Sequence, residues 1–132
     1  SDDLAERVRD LTGGVGVAVA YDGVGKSTFD ASMDSLRRRG MLVLFGAASG
    51  PVPPVDPQRL NAGGSLYLTR PTLFHHIATR EELLSTAESV YAEVAAGRLD
   101  VRIGHRYALD EARMAHEDLH ARRTTGKLVL IP

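Results

Sequence analysis

Apolar residues fall along the chain in two patterns, short continuous runs and positions spaced three or four residues apart. Continuous runs are typical of strands buried on both faces of a parallel sheet, and the wider spacing is typical of amphipathic helices. The segments that predict strands are Val15–Tyr21, Met41–Phe45, Ser65–Thr69, Val101–Leu109 and Lys127–Ile131. Because these segments alternate with predicted helices, the pattern indicates an α/β fold with a largely parallel sheet.

The first predicted helix opens the chain. Leu4, Val8 and Leu11 have helical spacing, Ser1 is the expected N-cap, and the helix is expected to end at the glycines of Thr12–Gly14. A parallel α/β fold that opens on a helix has a strand before that helix. We therefore expect the chain to be part of a longer protein.

The second predicted helix lies between the first two strands. Phe29, Met33 and Leu36 recur at positions i, i+4 and i+7 and are expected to face the core. Arg37–Arg39 would form its last turn, where cations complement the negative end of the helix dipole, and Gly40 would end it. Strand, helix and strand together predict a βαβ unit.

The second half of the chain is predicted mainly from its capping residues. Gly50–Pro57 contains four prolines and is expected to be an irregular surface connection. Thr79 and Glu82 have the spacing of a capping box and predict a helix that ends at Gly97. The residues expected on its inward face are Leu83, Ala87, Val90, Tyr91 and Val94. Asp110 is the expected N-cap of a last helix, which precedes the final strand.

Two glycine-containing turns, Tyr21–Gly25 and Phe45–Gly50, follow the first two strands. Because the carboxyl ends of parallel strands lie at one edge of a sheet, both turns are expected where α/β proteins bind ligands. Glycine lets the backbone approach a ligand, a helix start offers free N–H groups, and small residues leave room for a flat ring. Glycine is also usual in any tight turn, so ligand binding and simple turn geometry both remain open.

The first turn continues into Gly25-Lys26-Ser27, which is how a phosphate-binding P-loop ends. That motif needs a glycine five residues before Gly25, and Ala20 stands there, inside the predicted strand. The loop is therefore too short to wrap a β-phosphate. Phe45 and Gly46 also stand where an acidic strand end would follow, so the sequence argues against nucleotide hydrolysis.

The overall composition narrows the classes of partner. The 132 residues carry a net charge of −1, with 5% aromatic residues and no cysteine. No apolar run approaches the length of a membrane span. We therefore expect a cytoplasmic protein without a nucleic-acid or membrane partner.

One histidine pair has metal-ligand spacing. His116 and His120 are four residues apart, and Glu117 completes a His-Glu-x-x-His sequence. No further ligand follows to complete a zinc site, so a solvated helix face is favoured. The acidic pairs at helix starts are expected to be caps, and no order of residues predicts a catalytic nucleophile.

Short motifs recur along nearly the whole chain: TGGVGV, YDGVG, SLRRRG, FGAASG, GSLYLTRP, TREEL, YALDEA, AHE and TTGKLVLIP. In this order they resemble the C-terminal part of the NADPH:quinone oxidoreductases. These form the zinc-independent, zeta-crystallin-like branch of the medium-chain dehydrogenase/reductase superfamily.

The resemblance implies that the chain begins at the helix before the fourth strand of a six-stranded dinucleotide-binding sheet. Residues 1–98 would be the second half of that doubly wound, Rossmann-like domain. Residues 99–132 would be a helix and strands that complete the otherwise missing substrate domain. Only the nicotinamide side of the NADPH site would be present, because the pyrophosphate turn and the adenosine pocket precede this part of the family's chain.

The resemblance also carries site residues over by position. Those implied to line the nicotinamide ring and its ribose are Phe45, Gly46, Ala47 and Ser49. A cofactor-contacting arginine corresponds to Arg122, and the adjacent Arg123 leaves the assignment between the two open. The predicted strand Ser65–Thr69 would lie at a homodimer contact.

The implied function is hydride transfer from NADPH to a quinone or related enone. The cofactor would carry the chemistry, so no catalytic side chain is expected in this chain. The parent protein would be the enzyme, and the 132-residue chain alone is expected to be inactive. Two other interpretations stay open, an enoyl-reductase domain of a polyketide synthase-like protein and a non-catalytic dimerisation or nucleotide-binding module.

Overall fold

The computed structural model describes residues 2–132, so Ser1, the expected first N-cap, lies outside the described residues. The chain divides into two compact units, the first reaching His76 and the second running from Ile77 to Pro132. No helix within residues 2–132 combines the length and the apolar character needed to cross a bilayer.

In its described part, residues 2–76, the first unit contains four helices and three strands. In chain order they are α1 (Asp2–Leu11), β1 (Val17–Asp22), α2 (Phe29–Asp34), β2 (Leu36–Leu44), α3 (Pro57–Ala62), β3 (Tyr67–Thr69) and α4 (Leu73–His76). The predicted first helix and the three predicted strands are confirmed. Helices α3 and α4 were not predicted.

The three strands form one parallel sheet in the order β1-β2-β3. Tyr21 pairs with Val43 and Asp22 pairs with Leu44, while Val43 pairs on its other side with Thr69. Since all three strands run in the same direction, the segments that follow β1 and β2 leave the sheet at the same edge.

One face of this sheet carries the core of the first unit. The buried core residues are Phe29, Met33, Leu36, Leu42, Leu44 and Leu66. On the opposite face Val19 and Met41 are exposed, and Tyr21 is 75% exposed. The prediction that β1 and β2 are buried on both faces is therefore wrong, because α2 covers only one of them.

The second helix is shorter than its spacing predicts. Ser35 ends it, because its hydroxyl donates to the Ala31 carbonyl at 2.7 Å and its own carbonyl accepts from the Val17 amide at 2.9 Å. Leu36 is buried as expected, but Arg37–Arg39 belong to β2. The prediction that these arginines close the helix and complement its dipole is wrong.

Helix α3 lies at the end of the proline-rich connection. The Asp56 carboxylate accepts from the Gln58 amide at 2.9 Å, and Pro57 occupies the first helical position. An acidic N-cap followed by proline is a recognised helix start, so the sequence contained the evidence for α3. The expectation that Pro57 lies in irregular structure is wrong.

The second unit contains two long helices and two strands. They are α5 (Arg80–Ala95), β4 (Ile103–Ala108), α6 (Ala112–His120) and β5 (Lys127–Ile131). β4 and β5 form a two-stranded parallel sheet. The predicted capping box is confirmed, since the Thr79 amide donates to Glu82 Oε2 at 2.9 Å and the Glu82 amide donates to Thr79 Oγ1 at 3.2 Å.

Two predictions for the second unit are wrong. No residue of α5 is buried, so its apolar face does not point into a core formed by the described chain. A 3₁₀ turn, Leu109–Glu111, begins before α6 and places Asp110 inside the turn. The capping contact therefore comes from Glu111, whose carboxylate accepts from the Ala108 amide at 2.8 Å.

Parallel strands alternating with helices confirm the α/β class. The units of this chain divide after His76. The predicted boundary between residues 98 and 99 concerns the domains of a longer protein, and it stays a prediction.

Candidate functional site

Two turns leave the sheet side by side at the carboxyl ends of β1 and β2. We call residues 22–28 the first turn, residues 45–50 the second turn, and the contact between them the turn junction. The turns are neighbours because β1 and β2 are adjacent and parallel. This is the edge at which open α/β sheets bind ligands.

Backbone hydrogen bonds join the two turns in both directions. The shortest donor–acceptor pairs are Phe45–Asp22 (2.9 Å), Ser49–Val24 (2.8 Å) and Lys26–Gly50 (3.1 Å). The Ser49 hydroxyl adds to them, since it donates to the Val24 carbonyl at 2.8 Å and accepts from the Ser27 amide at 3.0 Å. A displacement of one turn therefore requires a displacement of the other.

The glycines of both turns are required by the junction itself. A Cβ on Gly46 would overlap the carbonyl oxygen of Gly23, and one on Gly23 would lie 2.9 Å from the Phe45 ring. A Cβ on Gly25 would lie 2.8 Å from the Gly50 carbonyl oxygen. Of the two explanations for these glycines, the structure favours turn geometry, because the glycines allow the turns to touch each other.

The amides of the first turn are used inside the junction. The donor–acceptor pairs are Val24 and Gly25 to Asp22 Oδ1 (2.8 and 2.9 Å), Lys26 to the Gly50 carbonyl (3.1 Å) and Ser27 to Ser49 Oγ (3.0 Å). Because α2 begins only at Phe29 and its N-cap Thr28 makes no side-chain capping bond, the expectation that the helix start offers free N–H groups to a ligand stays a prediction. The same contacts agree with the argument against a phosphate cradle here.

Asp22 supplies the buried charge of the junction, with 4% of its surface exposed. Burial raises the pKa of its carboxyl, but hydrogen bonds from the Gly25 amide, the Thr28 hydroxyl and further donors outweigh burial and hold the pKa below 3.8. The stability these bonds provide is present above the ordinary pKa and is lost as the pH falls through the lowered one. Asp22 was not among the predicted site residues, although aspartate before glycine signals a side-chain turn.

The second turn provides the exposed surface of the junction. The Phe45 ring is 55% exposed, and Ala47, Ala48 and Ser49 are exposed as well. Within residues 45–50 as described, only the Ala47 amide donates no hydrogen bond to the chain. An aromatic ring, small side chains and a free N–H suit a flat ligand with a polar edge.

In the second unit, Arg122 and Arg123 follow α6 and differ in their contacts. Arg123 Nε and Nη2 donate to Asp118 Oδ1 at 2.8 and 2.6 Å, and the Tyr107 hydroxyl donates to Asp118 Oδ2 at 2.9 Å. The hydrogen bonds from Arg123, and to a smaller extent the one from Tyr107, lower the pKa of the Asp118 carboxyl. The exposed guanidinium of Arg122 makes no hydrogen bond or ion pair with the residues that the structure describes.

Arg122 also has an unusual backbone conformation. Its φ is 56°, a left-handed value, and its amide donates to the Leu119 carbonyl at 3.1 Å. Glycine is the favoured residue at such a position after a helix, because a Cβ is strained there. An arginine kept in a strained conformation with a free guanidinium suggests a role for its side chain. The geometry thus favours Arg122 over Arg123 as a ligand contact.

The histidine pair of α6 lies on an exposed surface. His116 and His120 are both exposed, and Glu117 accepts from Arg113 Nη1 at 3.1 Å. Among residues 2–132, no group of three or more histidine, cysteine, aspartate or glutamate side chains is arranged to hold a metal ion.

A cavity of about 530 Å³ lies away from the two turns and is lined by Val15 and Arg37–Arg39. These residues precede β1 or belong to the start of β2, so the cavity opens at the amino-terminal edge of the sheet. The candidate site is therefore identified by the aromatic ring, small side chains and free N–H group at the carboxyl ends of the strands. The size of a cavity does not identify it.

Comparison with known proteins gives one family and several similar structures. The family model described as zinc-binding dehydrogenase matches residues 1–130. The quinone oxidoreductase of Salmonella typhimurium is 50% identical over 133 aligned residues, which cover 99% of this chain and 41% of that protein.

Two solved structures are similar over almost the entire chain. A mycobacterial protein complexed with NADPH has 58% identity and a TM-score of 0.90, with coverage of 98% of this chain and 40% of that one. The Escherichia coli quinone oxidoreductase complexed with NADPH has 45% identity and a TM-score of 0.89, again covering 98% and 40%. The chain thus spans about two fifths of the length of the relatives it matches.

Proposed function

The chain belongs to the zinc-binding dehydrogenase family, and from this premise we propose that its parent protein transfers hydride from NADPH to a quinone or related enone. The names of the similar proteins support both parts of the proposal, since quinone oxidoreductases and NADPH complexes are among them. We also propose that the parent protein belongs to the zinc-independent branch and is located in the cytoplasm. We propose no nucleic-acid or membrane partner for it.

The observation that carries the proposal is the surface of the second turn. The half-exposed Phe45 ring, the close backbone at Gly46, the free Ala47 amide and the exposed Ser49 fit one side of a nicotinamide ring and its ribose. The Ser49 hydroxyl already donates one hydrogen bond and accepts another, and it can accept a second one. We propose these four residues as cofactor contacts.

The proposed reaction needs no catalytic side chain from this chain. NADPH supplies the hydride, and protein groups hold the ring in place and keep water from it. The turn junction is suited to the holding role, because hydrogen bonds in both directions fix the second turn on the sheet. The Phe45 ring would cover part of the cofactor surface.

The function is tested by mixing the purified parent protein with NADPH and a simple quinone and following the loss of NADPH absorbance. We expect steady oxidation by the parent protein and none by the 132-residue chain alone. Turnover by the short chain would contradict the expected need for the remaining domain. A parent protein that oxidises NADPH with neither quinones nor enones would overturn the proposed function.

Arg122 is the proposed cofactor contact of the second unit, and its strained backbone allows a sharp test. We expect Arg122→Gly to raise the KM for NADPH at least tenfold, since charge-assisted hydrogen bonds contribute roughly 1.5–3 kcal/mol. Because glycine relieves the left-handed strain, the melting temperature should be unchanged or slightly higher.

Arg123→Gln is the matched control for Arg122. It removes the contacts with Asp118, so it should lower the melting temperature while leaving the KM for NADPH unchanged. If the effects of the two variants were exchanged, Arg123 would be the cofactor contact. If neither variant changed the KM, neither arginine would bind the cofactor.

We also propose a homodimer through the predicted edge segment Ser65–Thr69. Support comes from the position of β3, which ends the strand order of its sheet and leaves Tyr67 about half exposed. A lysine on an edge strand discourages pairing with another chain. Tyr67→Lys is therefore expected to shift the parent protein from dimer to monomer in sedimentation. Gln58→Lys, at an exposed position of α3, should remain dimeric, and a dimer that survives Tyr67→Lys would contradict this contact.

The proposed domains of the parent protein are residues 1–98, as half of the dinucleotide-binding domain, and residues 99–132, as part of the substrate domain. The pairing of β4 with β5 in a sheet of their own supports this division.

A further inference from the structure

The carboxylate of Asp22 is a buried charge held entirely by hydrogen-bond donors. Oδ1 accepts from the amides of Val24 and Gly25 at 2.8 and 2.9 Å. Oδ2 accepts from the hydroxyls of Thr28 and Ser32 at 2.8 and 2.9 Å. No cation pairs with it among the described residues. A buried charge is costly unless every acceptor position is used, and this carboxylate meets that condition.

The residues that Asp22 holds are the ones that hold the second turn. Val24, whose amide bonds the carboxylate, accepts from both the amide and the hydroxyl of Ser49 at 2.8 Å. The residue after Gly25 continues the chain of contacts, because the Lys26 amide donates to the Gly50 carbonyl at 3.1 Å. A continuous path of hydrogen bonds thus runs from the carboxylate through the first turn to the second.

The carboxylate also determines the shape of the first turn. Gly25 has a left-handed φ of 88°, and its amide is held by Asp22 on one side while its Cα packs against the second turn on the other. Without the carboxylate, the amides of Val24 and Gly25 would lose their acceptor and would reorient to find water. The contact surface that they present to the second turn would then be lost.

We propose that Asp22 is a positioning residue for the cofactor, acting through the first turn to fix the second turn against which the nicotinamide ring binds. This inference rests on the proposed function for its cofactor, and on the turn junction alone for its mechanics. Since only 4% of its surface is exposed, Asp22 is not proposed to touch a reacting atom.

The test compares three variants of the parent protein. Asp22→Ala removes every acceptor. Asp22→Asn keeps the acceptor of the two amides and offers an amino group to the Thr28 and Ser32 hydroxyls, both of which can accept. Asp30→Ala is the matched control, because it removes a nearby carboxylate whose ion pair with Arg59 is largely exposed.

Hydrogen exchange reports the position of the second turn without any ligand. In Asp22→Ala we expect the hydrogen-bonded amides of residues 45–50 to exchange at least tenfold faster, while those of Met41–Leu44, in the preceding strand β2, change much less. Asp22→Asn should restore most of the protection, and Asp30→Ala should resemble the wild type. Equal acceleration along β2 and the second turn, or none in either, would overturn the inference, because a merely structural role predicts uniform loosening.

Cofactor binding gives the second measurement. Asp22→Ala should raise the Kd for NADPH at least tenfold, and wild-type affinity in that variant would overturn the inference. If the wild-type protein itself bound no NADPH, the proposed function would fail. The exchange measurement would then still decide whether Asp22 positions the second turn.

Discussion

Replacing Gly46 with alanine is expected to destabilise the first unit by about 3 kcal/mol and to abolish NADPH oxidation by the parent protein. The added methyl group would overlap the Gly23 carbonyl oxygen and approach the Gly23 Cα at 2.8 Å. These are backbone atoms of a turn that Asp22 and the second turn already hold, so they cannot yield as a flexible side chain could. Both turns would have to separate, and the proposed nicotinamide surface would be lost with them.

The measurement for Gly46→Ala is urea unfolding, followed by the NADPH assay. Gly13→Asn is the control in the same unit, because Gly13 has open space around its Cα and a φ of 61°, a value that asparagine tolerates. Gly13→Asn should lose less than about 1 kcal/mol, as expected for an αL position without a clash. A Gly46→Ala protein as stable as this control would show that the junction is loose, and the positioning role of Asp22 would then lose its structural basis.

Local patterns predicted much of the fold. The strands, the first helix and the Thr79–Glu82 capping box all depend on neighbouring residues, and all are confirmed. The boundaries that failed depend on competing local bonds. Ser35 ends α2 because its hydroxyl bonds back to Ala31 and its carbonyl joins β1, and apolar spacing contains no information about either contact.

The role of the glycines could not be predicted from the sequence. Gly23 and Gly46 are far apart along the chain, and the need for both arises only where two parallel strands place their turns in contact. A pattern of single turns cannot distinguish a glycine that faces a ligand from one that faces another turn. The contact between Asp22 and Ser32 could not be predicted either. The two residues lie on opposite sides of the connection between β1 and α2, and they meet only in the folded unit.

Burial was also predicted only in part. Continuous apolar runs indicated strands covered on both faces, yet Val19, Tyr21 and Met41 are exposed. Such runs reflect burial in the complete protein. In the proposed parent protein, the remaining part of the chain would cover these exposed faces. The same explanation applies to α5, whose capping is complete while none of its residues is buried.

The second large effect is expected at Gly104, in the unit that carries Arg122. A Cβ on Gly104 would overlap the Thr125 carbonyl oxygen, at the point where the register of β4 against β5 shifts. Immediately before β5, Gly126 is also restricted, with a φ of 79° and a prospective Cβ only 2.6 Å from the Arg102 carbonyl oxygen. Alanine at 104 should therefore push residues 124–126 away from β4 and destabilise the second unit by about 3 kcal/mol.

The displaced segment directly follows Arg122 and Arg123. Gly104→Ala is therefore expected to affect both the stability of the second unit and the proposed cofactor contact. We expect faster amide exchange along β5, a lower melting temperature and a raised KM for NADPH. Gly97→Asn, at a left-handed position with open space, should change none of these. Arg122→Gly should share the KM defect without the stability defect, so the two variants separate the contact from the scaffold that holds it. If Gly104→Ala weakened the unit and left the KM unchanged, the segment after α6 would have no part in binding, and Arg122 would be excluded as a cofactor contact.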